Sequence, residues 1–187
     1  GGRDAVKVLI KIGRNDKFNW IGVDPLIEIG NASIKPIIKE LSMFPRMYMP
    51  EVLGEVGGGQ ERVIDVLMDI LNTKDVAIGI RAEAAMALGR IGGMGVVDFL
   101  IEAFNDKAEG VRASIAWALG NIGDEKSLGV LIKALCLDEK DLVREKAAIA
   151  LGKIKASQAV APLIKATNDK DKYVRREAVN ALGDIKD

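Results

Sequence analysis

The chain has 187 residues, with 27 Lys and Arg against 27 Asp and Glu, so its formal net charge is zero. This balance provides no overall field to attract nucleic acid or an anionic membrane. Histidine is absent and Cys136 is the single cysteine, which excludes histidine-based catalytic sites, an internal disulfide and a cysteine-cluster zinc site. We expect Cys136, inside an apolar run, to be a small buried hydrophobic residue.

No apolar run approaches the roughly 18 residues that cross a bilayer, and no secretory signal pattern opens the chain. We therefore expect a cytoplasmic protein without a membrane anchor. No metal site, cofactor or catalytic residue is predicted.

Six short helices, here called the B helices, are predicted by apolar residues at spacings of three and four. They cover residues 5–12, 34–41, 63–70, 96–104, 128–135 and 159–166. On the first of them Ala5, Val6, Leu9 and Ile12 share one face, so Lys7 points away from the core. The equivalent polar positions form two columns: Lys7, Lys35, Asp65, Asp98, Gly129 and Ala161 in one, and Lys11, Lys39, Asp69, Glu102, Lys133 and Lys165 in the other.

A second kind of helix, here called the A helix, alternates with the B helices and carries a Leu-Gly pair near its end. The glycines are Gly54, Gly89, Gly120, Gly152 and Gly183, at steps of 35, 31, 32 and 31 residues. Glycine costs a helix about 1 kcal/mol relative to alanine, so its recurrence predicts that a neighbouring helix approaches closely there. A two-helix unit cannot bury its apolar face alone, so the units must stack as an all-α solenoid.

One twelve-residue motif occurs four times, starting at residues 81, 112, 144 and 175: "RAEAAMALGRIG", "RASIAWALGNIG", "REKAAIALGKIK" and "RREAVNALGDIK". This motif resembles HEAT-like repeats, particularly the short class of phycobilisome lyases and many prokaryotic proteins. The resemblance implies a right-handed superhelix of stacked antiparallel helix pairs, about twelve helices here, with the B helices on the concave surface. It covers residues 75–187 well and residues 1–74 loosely. We predict one array over 1–187, irregular over 1–74 and regular, at 31–32 residues per repeat, over 75–187.

An acid and an arginine recur six residues apart, and the resemblance implies that they form a ladder between successive repeats. The pairs are Asp75–Arg81, Asp106–Arg112, Asp138–Arg144 and Asp169–Arg175. Phosphate binding by these arginines is the alternative, which their accompanying carboxylates disfavour. The array begins with a B helix and stops after an A helix, so we expect part of a longer array, or ends that another chain covers.

Residues 42–50, "SMFPRMYMP", concentrate Met43, Phe44, Met47, Tyr48 and Met49 around two prolines. Packing across an expanded junction between repeats is one interpretation of this segment. A hydrophobic binding patch is the other, because methionine and aromatic side chains suit adaptable binding surfaces.

The order basic, acidic, basic along the B helices favours a non-catalytic protein-interaction module that binds another protein on its concave face. The predicted contacts are Lys7, Lys11, Lys35, Lys39, Asp65, Asp69, Asp98, Glu102, Lys133 and Lys165. A merely solvated polar face is the simpler interpretation. The alternative function is a subunit resembling the bilin lyases, which positions a chromophore and an acceptor protein. A nucleic-acid-binding repair-type protein is less favoured, because residues 144–187 hold only 10 basic against 6 acidic side chains.

Overall fold

The computed structural model describes residues 36–37, 48–56, 61–93 and 95–186. Nine α-helices lie within these residues, where twelve are predicted for the whole chain. They are α1 (Tyr48–Val56), α2 (Glu61–Asn72), α3 (Ile78–Ile91), α4 (Val96–Ala103), α5 (Glu109–Ile122), α6 (Leu128–Leu137), α7 (Asp141–Ile154), α8 (Val160–Ala166) and α9 (Lys172–Lys186). The three other predicted helices fall outside the described residues, except that Pro36 and Ile37 are helical.

The helices alternate as the sequence predicts, with α1, α3, α5, α7 and α9 as A helices and α2, α4, α6 and α8 as B helices. The chain divides into two compact units, residues 1–91 and 92–187, called unit 1 and unit 2 below. The single continuous array, irregular over 1–74 and regular over 75–187, stays a prediction.

In unit 1, α3 packs against both α1 and α2. In unit 2, α7 packs against α5 on one side and α9 on the other, while α6 packs against α7 and α8 against α9. The apolar stripes of both kinds of helix supply the core, as at Leu67 and Leu88 in unit 1 and at Leu119, Leu131 and Leu151 in unit 2, all fully buried. This is the solenoid arrangement, in which each helix pair buries its apolar face against the next.

The recurrent glycine allows these A helices to approach closely. A Cβ added to Gly120 would lie 2.5 Å from both the Cα and the Cβ of Ala150. In the next repeat, a Cβ added to Gly152 would lie 2.8 Å from both the Cα and the Cβ of Ala181. The expected close approach is therefore confirmed at these two glycines, and in unit 1 Gly54 meets Ala87 in the same way.

The A helices α5 and α7 end at equivalent positions in the left-handed conformation. Gly123 caps α5 with φ 78° and Lys155 caps α7 with φ 58°. A short 3-10 turn then leads into the B helix in both repeats, at Glu125–Ser127 and Ser157–Ala159. No helix in the described part of the chain is long and apolar enough to span a bilayer.

Candidate partner-binding surface

Two arginines connect consecutive repeats of unit 2. Arg112 donates from Nε and Nη2 to the two carboxylate oxygens of Asp138, at 2.8 and 2.9 Å. Its Nη1 donates to the backbone carbonyl of Asp106 at 2.9 Å. The guanidinium therefore binds the loop of its own repeat and the carboxylate of the next repeat at the same time. Its contact with the carboxylate is bidentate, the geometry that gives the strongest arginine–carboxylate contacts.

Arg144 repeats this arrangement one repeat later. It donates to both carboxylate oxygens of Asp169, at 2.8 and 2.9 Å, and to the backbone carbonyl of Asp138 at 2.9 Å. Asp138 is thus bonded through its side chain to the preceding arginine and through its carbonyl to the following one. The spacing of six within each repeat reflects the arginine–carbonyl bond, whereas the carboxylate partner is 25 or 26 residues away.

These contacts set the charge state of the two aspartates. Burial opposes the charged form of Asp138, but hydrogen bonds from Arg112 and from the backbone N–H of Lys140 outweigh it and lower its pKa below the ordinary value. Burial is likewise outweighed at Asp169, where Arg144 and the N–H of Asp171 lower the pKa. Both carboxylates are therefore ionised at neutral pH and act as fixed structural anions.

Arg81 and Arg175 also bond to backbone carbonyls of their own repeats. In unit 1, Arg81 is buried and donates from Nε to the carbonyl of Val76 at 3.2 Å, while Asp75 is exposed. In unit 2, Arg175 is exposed and donates from Nη1 to the carbonyls of Asp169 and Lys170, at 2.8 and 3.0 Å.

The charged columns predicted on the B helices are exposed wherever the structure describes them. In unit 1 these residues are Asp65 and Asp69; in unit 2 they are Asp98, Glu102, Lys133 and Lys165. Lys7, Lys11, Lys35 and Lys39 lie outside the described residues. Within unit 2 the acidic side chains belong to α4 and the basic ones to α6 and α8, and we call these four residues the B-helix surface. Its role in binding stays a prediction.

One cross-repeat ion pair modifies this surface. Lys126, in the turn before α6, lies 3.3 Å from the Asp98 carboxylate, and both side chains are about three-fifths exposed (62% and 60%). An exposed pair of this kind contributes about 0.2–1 kcal/mol. It offsets the charge of Asp98 and leaves Glu102 as the principal acidic group on α4.

A cavity of about 310 Å³ opens between the ends of α4 and α6. It is lined by Phe104, Asn105, Asp106, Arg112, Val130, Lys133, Ala134, Leu137 and Asp138. Its apolar wall includes Leu137, which is 70% exposed, and Lys133 of the B-helix surface stands at its edge. The Arg112–Asp138 pair also lines the cavity.

This cavity was not foreseen from the sequence. The predicted B helix ends at residue 135, whereas α6 extends to Leu137, which no described neighbour covers. Cys136, expected to be buried, is exposed, and that expectation is wrong because residue 136 falls on the outer side of the last turn of α6. The run of apolar residues continues past the fully buried Leu131 to the end of the helix, but nothing in the sequence marks Leu137 as exposed.

Of the hydrophobic segment around the two prolines, residues 48–50 are within the described part of the chain. Met43, Phe44 and Met47 lie outside the described residues. For Tyr48 and Met49 only the backbone is described, at the start of α1. Among described residues, no group of three or more His, Cys, Asp or Glu side chains is arranged to hold a metal ion.

The sequence matches the HEAT repeats family over residues 64–152 and 130–187, about two thirds of the chain. The chain is a HEAT-repeat protein. No curated protein shows a significant sequence match to it.

Several solved structures share the fold of this HEAT-repeat chain. The complex of CpcE and CpcF of phycocyanin lyase from Nostoc sp. matches with a TM-score of 0.67 and 23% identity over 81% of this chain, which spans 64% of that lyase chain. An engineered protein matches with a TM-score of 0.64 and 21% identity, over 98% of this chain and 90% of its own. A designed armadillo repeat protein in complex with the peptide (KR)4 has a TM-score of 0.58 and 20% identity, over 97% of this chain and 92% of its own. At these identities the likeness establishes the fold alone.

Proposed function

We propose that this HEAT-repeat protein is a non-catalytic interaction module, and that the B-helix surface of unit 2 binds a segment of another protein. The observation that carries the proposal is the cavity between α4 and α6, where an exposed Leu137 lies beside Lys133. Binding energy in such interfaces concentrates in a few apolar anchors that enter well-packed pockets. A cavity near 300 Å³ is at the small end of ligand sites, a size suited to one apolar side chain.

The charges around the cavity give the partner segment a direction. Glu102 on α4 favours a basic residue, and Lys133 on α6 and Lys165 on α8 favour acidic residues. A partner segment that crosses the B helices from α4 to α8 would therefore carry a basic residue first, then an apolar residue, then acidic residues. Exposed charges add little affinity individually, so their part is to fix the orientation and to speed association.

The neighbours support a protein partner as the kind of ligand. One of the structures with this fold is a complex of two lyase chains, and another is a designed repeat protein bound to the peptide (KR)4. Both use extended helical arrays in assemblies with other polypeptides. The identity of the partner of this chain is not given by them.

The test uses Leu137→Glu as the blocking variant and Leu142→Glu as its matched control. Leu142 is an exposed leucine at the start of α7 and does not line the cavity. The purified chain and both variants are immobilised, and a partner retained from native extract is identified and then titrated as a purified protein. We expect Leu137→Glu to weaken its binding at least about tenfold, as loss of a hot-spot anchor does, and Leu142→Glu to bind normally. Equal affinities of all three would reject the proposal.

A second candidate rests on the likeness to the phycocyanin lyase complex. In that case the array would position a chromophore and an acceptor protein. Mixing the purified chain with a linear tetrapyrrole separates the two candidates, because uptake with a shifted absorbance band, lost in Leu137→Glu, favours the lyase-like role. An unchanged spectrum at micromolar concentrations leaves the interaction module.

A further inference from the structure

The stretch that joins α6 to α7 has one residue more than its counterparts elsewhere in unit 2. A shared Leu-Ile-Glu/Lys-Ala motif aligns the three B helices, and it ends at Ala103, Ala134 and Ala166. The ladder aspartate, which stands six residues before the arginine of its repeat, follows three residues after Ala103 and Ala166 but four after Ala134. The extra residue therefore lies between Ala134 and Asp138.

The backbone hydrogen bonds show how this extra residue is accommodated. In the repeats of α4 and α8, the N–H of the ladder aspartate donates to a carbonyl three residues back, at 3.2 and 3.0 Å, so both connections begin with a tightened turn. The N–H of Asp138 instead donates to the carbonyl of Ala134, four residues back, at 3.0 Å. The extra residue thus prolongs α6 as a regular α-helix to Leu137, whereas α4 and α8 end at Ala103 and Ala166.

This prolonged turn places an apolar residue where the other repeats have a polar one. The position before the ladder aspartate is exposed in all three repeats, and it holds Asn105, Leu137 and Asn168. Leu137 shares one face of α6 with Val130 and Ala134, which precede it by seven and three residues. All three line the cavity, so the extension of α6 adds an apolar wall to it.

The charged groups around the cavity leave one cation available. Asp138 is bound by Arg112 through both carboxylate oxygens, and Asp106 is only 5% exposed and accepts the N–H of Ala108 at 2.8 Å. Lys133 is exposed, and among the described residues no carboxylate forms an ion pair with its Nζ. The cavity is therefore matched by an apolar group with one negative charge beside it.

The next repeat indicates that the lysine alone does not make this site. Lys165 of α8 occupies the position of Lys133 and is exposed too. There, however, Asn168 precedes the aspartate, and Pro162 stands where α6 has Val130. Among the described B helices of unit 2, an apolar wall beside a lysine is thus a feature of α6.

We propose that the cavity recognises an aliphatic side chain with a carboxylate next to it, and that the one-residue extension of α6 creates this specificity. The proposal rests on the function proposed above and names the chemistry of the anchor in the partner segment. The aliphatic group lies against Phe104, Val130 and Leu137, and the carboxylate pairs with the Nζ of Lys133. The cavity of about 310 Å³ has room for one such side chain, at the small end of ligand sites.

The test uses N-acetyl-leucine as the probe, because it carries an isobutyl group and one carboxylate, and N-acetyl-leucinamide as the uncharged control. Each is titrated into the isotope-labelled chain while the amide resonances of residues 104–106 and 133–138 are followed. We expect N-acetyl-leucine to bind in the millimolar range, as about a dozen non-hydrogen atoms allow. N-acetyl-leucinamide should bind about threefold more weakly, because it lacks the charge that pairs with Lys133.

Four variants separate the apolar wall from the charge. Deletion of Leu137 restores the spacing found after α4 and α8, and Leu137→Asn gives α6 the residue of those repeats without changing its length. Both should weaken N-acetyl-leucine binding about tenfold or more, as loss of an anchor does, and Leu137→Asn carries the test where the deletion unfolds the chain. Lys133→Gln should make the two probes bind equally, whereas Lys165→Gln, its matched control, should preserve their difference.

Equal affinities of the two probes for the parent chain, no response at about 20 mM, or undiminished binding by Leu137→Asn would each overturn the proposal. Nuclear Overhauser contacts from the Leu137 methyl groups to another segment of this chain, before a probe is added, would overturn it in favour of an internal occupant. These outcomes are distinguishable from failure of the proposed function, because a partner released by Leu137→Glu would still support the interaction module when neither probe binds.

Discussion

Arg144 binds the carboxylate of Asp169, 25 residues further along the chain, through two parallel hydrogen bonds of 2.8 and 2.9 Å. The same side chain bonds the carbonyl of Asp138 in its own repeat. Because the contact joins two loops that precede successive A helices, it fixes how one repeat sits on the next. Its energetic role is tested by comparing it with Arg175, which has the backbone half of the contact only.

Arg144→Ala should lower the free energy of unfolding by about 2–3 kcal/mol, somewhat less than the loss of a fully buried pair, since the change leaves Asp169 half-buried without its guanidinium. Arg175→Ala, which removes no carboxylate contact among the described residues, should cost about 0.5 kcal/mol or less. Urea unfolding followed by circular dichroism measures both. Similar losses in the two variants would show that the inter-repeat bond adds nothing.

The lowered pKa values of Asp138 and Asp169 predict a particular dependence on pH. An aspartate whose folded pKa lies below its unfolded value of about 3.9 gives stability that is present above that value and disappears as pH falls through the folded pKa. The stability difference between the parent and Asp138→Asn should therefore be constant above about pH 5 and shrink below about pH 4. A difference that stays constant down to about pH 2.5 would contradict the shift.

The two classes of helix glycine should respond to alanine in opposite directions. Gly120→Ala places a Cβ 2.5 Å from the backbone of Ala150, and the shift required should cost about 2–3 kcal/mol, as overpacking does. Gly183→Ala meets no described atom and should raise stability by about 0.5 kcal/mol through helix propensity. Thermal unfolding of the two variants checks the pair, and a stabilised Gly120→Ala would remove the close-packing explanation.

The two A-helix ends provide a test that is independent of the inter-repeat contacts. Lys155 adopts φ 58° where the preceding repeat has Gly123 at φ 78°. Lys155→Gly should stabilise the protein by about 0.5–1 kcal/mol, because glycine enters the left-handed region without steric cost. Gly123→Ala should destabilise it by a similar amount. A Lys155→Gly variant that is less stable than the parent, or a Gly123→Ala variant that is more stable, would mean that the caps are not limited by backbone conformation.

The features that repeat along the chain could be predicted from the sequence. The phase of Leu119 and Gly120 predicted the A-helix contact because a repeated glycine has a local signature that does not depend on the partner. The cavity exists because α6 extends to Leu137, whose side chain no described neighbour covers. The exposure of Leu137 depends on these neighbours, so no local sequence pattern predicted it. Leu131 and Leu137 look alike in the sequence, but one is buried beneath a neighbouring helix and the other is not.

The sequence identified the charged residues of the B helices, but not which of them are paired on the folded surface. Asp98 appeared as a binding group of the acidic column, and the structure pairs it with Lys126, 28 residues away. Sequence spacing could not reveal this, because the contact joins a B helix to the turn of the next repeat. Glu102 and Lys133 remain the more informative members of the predicted set.

Site-specific photo-crosslinking tests the central claim, binding of a protein partner on the B-helix surface, most directly. A photoreactive residue replaces Lys133 at the cavity edge in one variant and Lys153, exposed on the A helix α7, in the other. We predict that the partner identified by capture crosslinks through position 133 and not through position 153. Crosslinking through position 153 alone would contradict the claim and place the interface on the A helices.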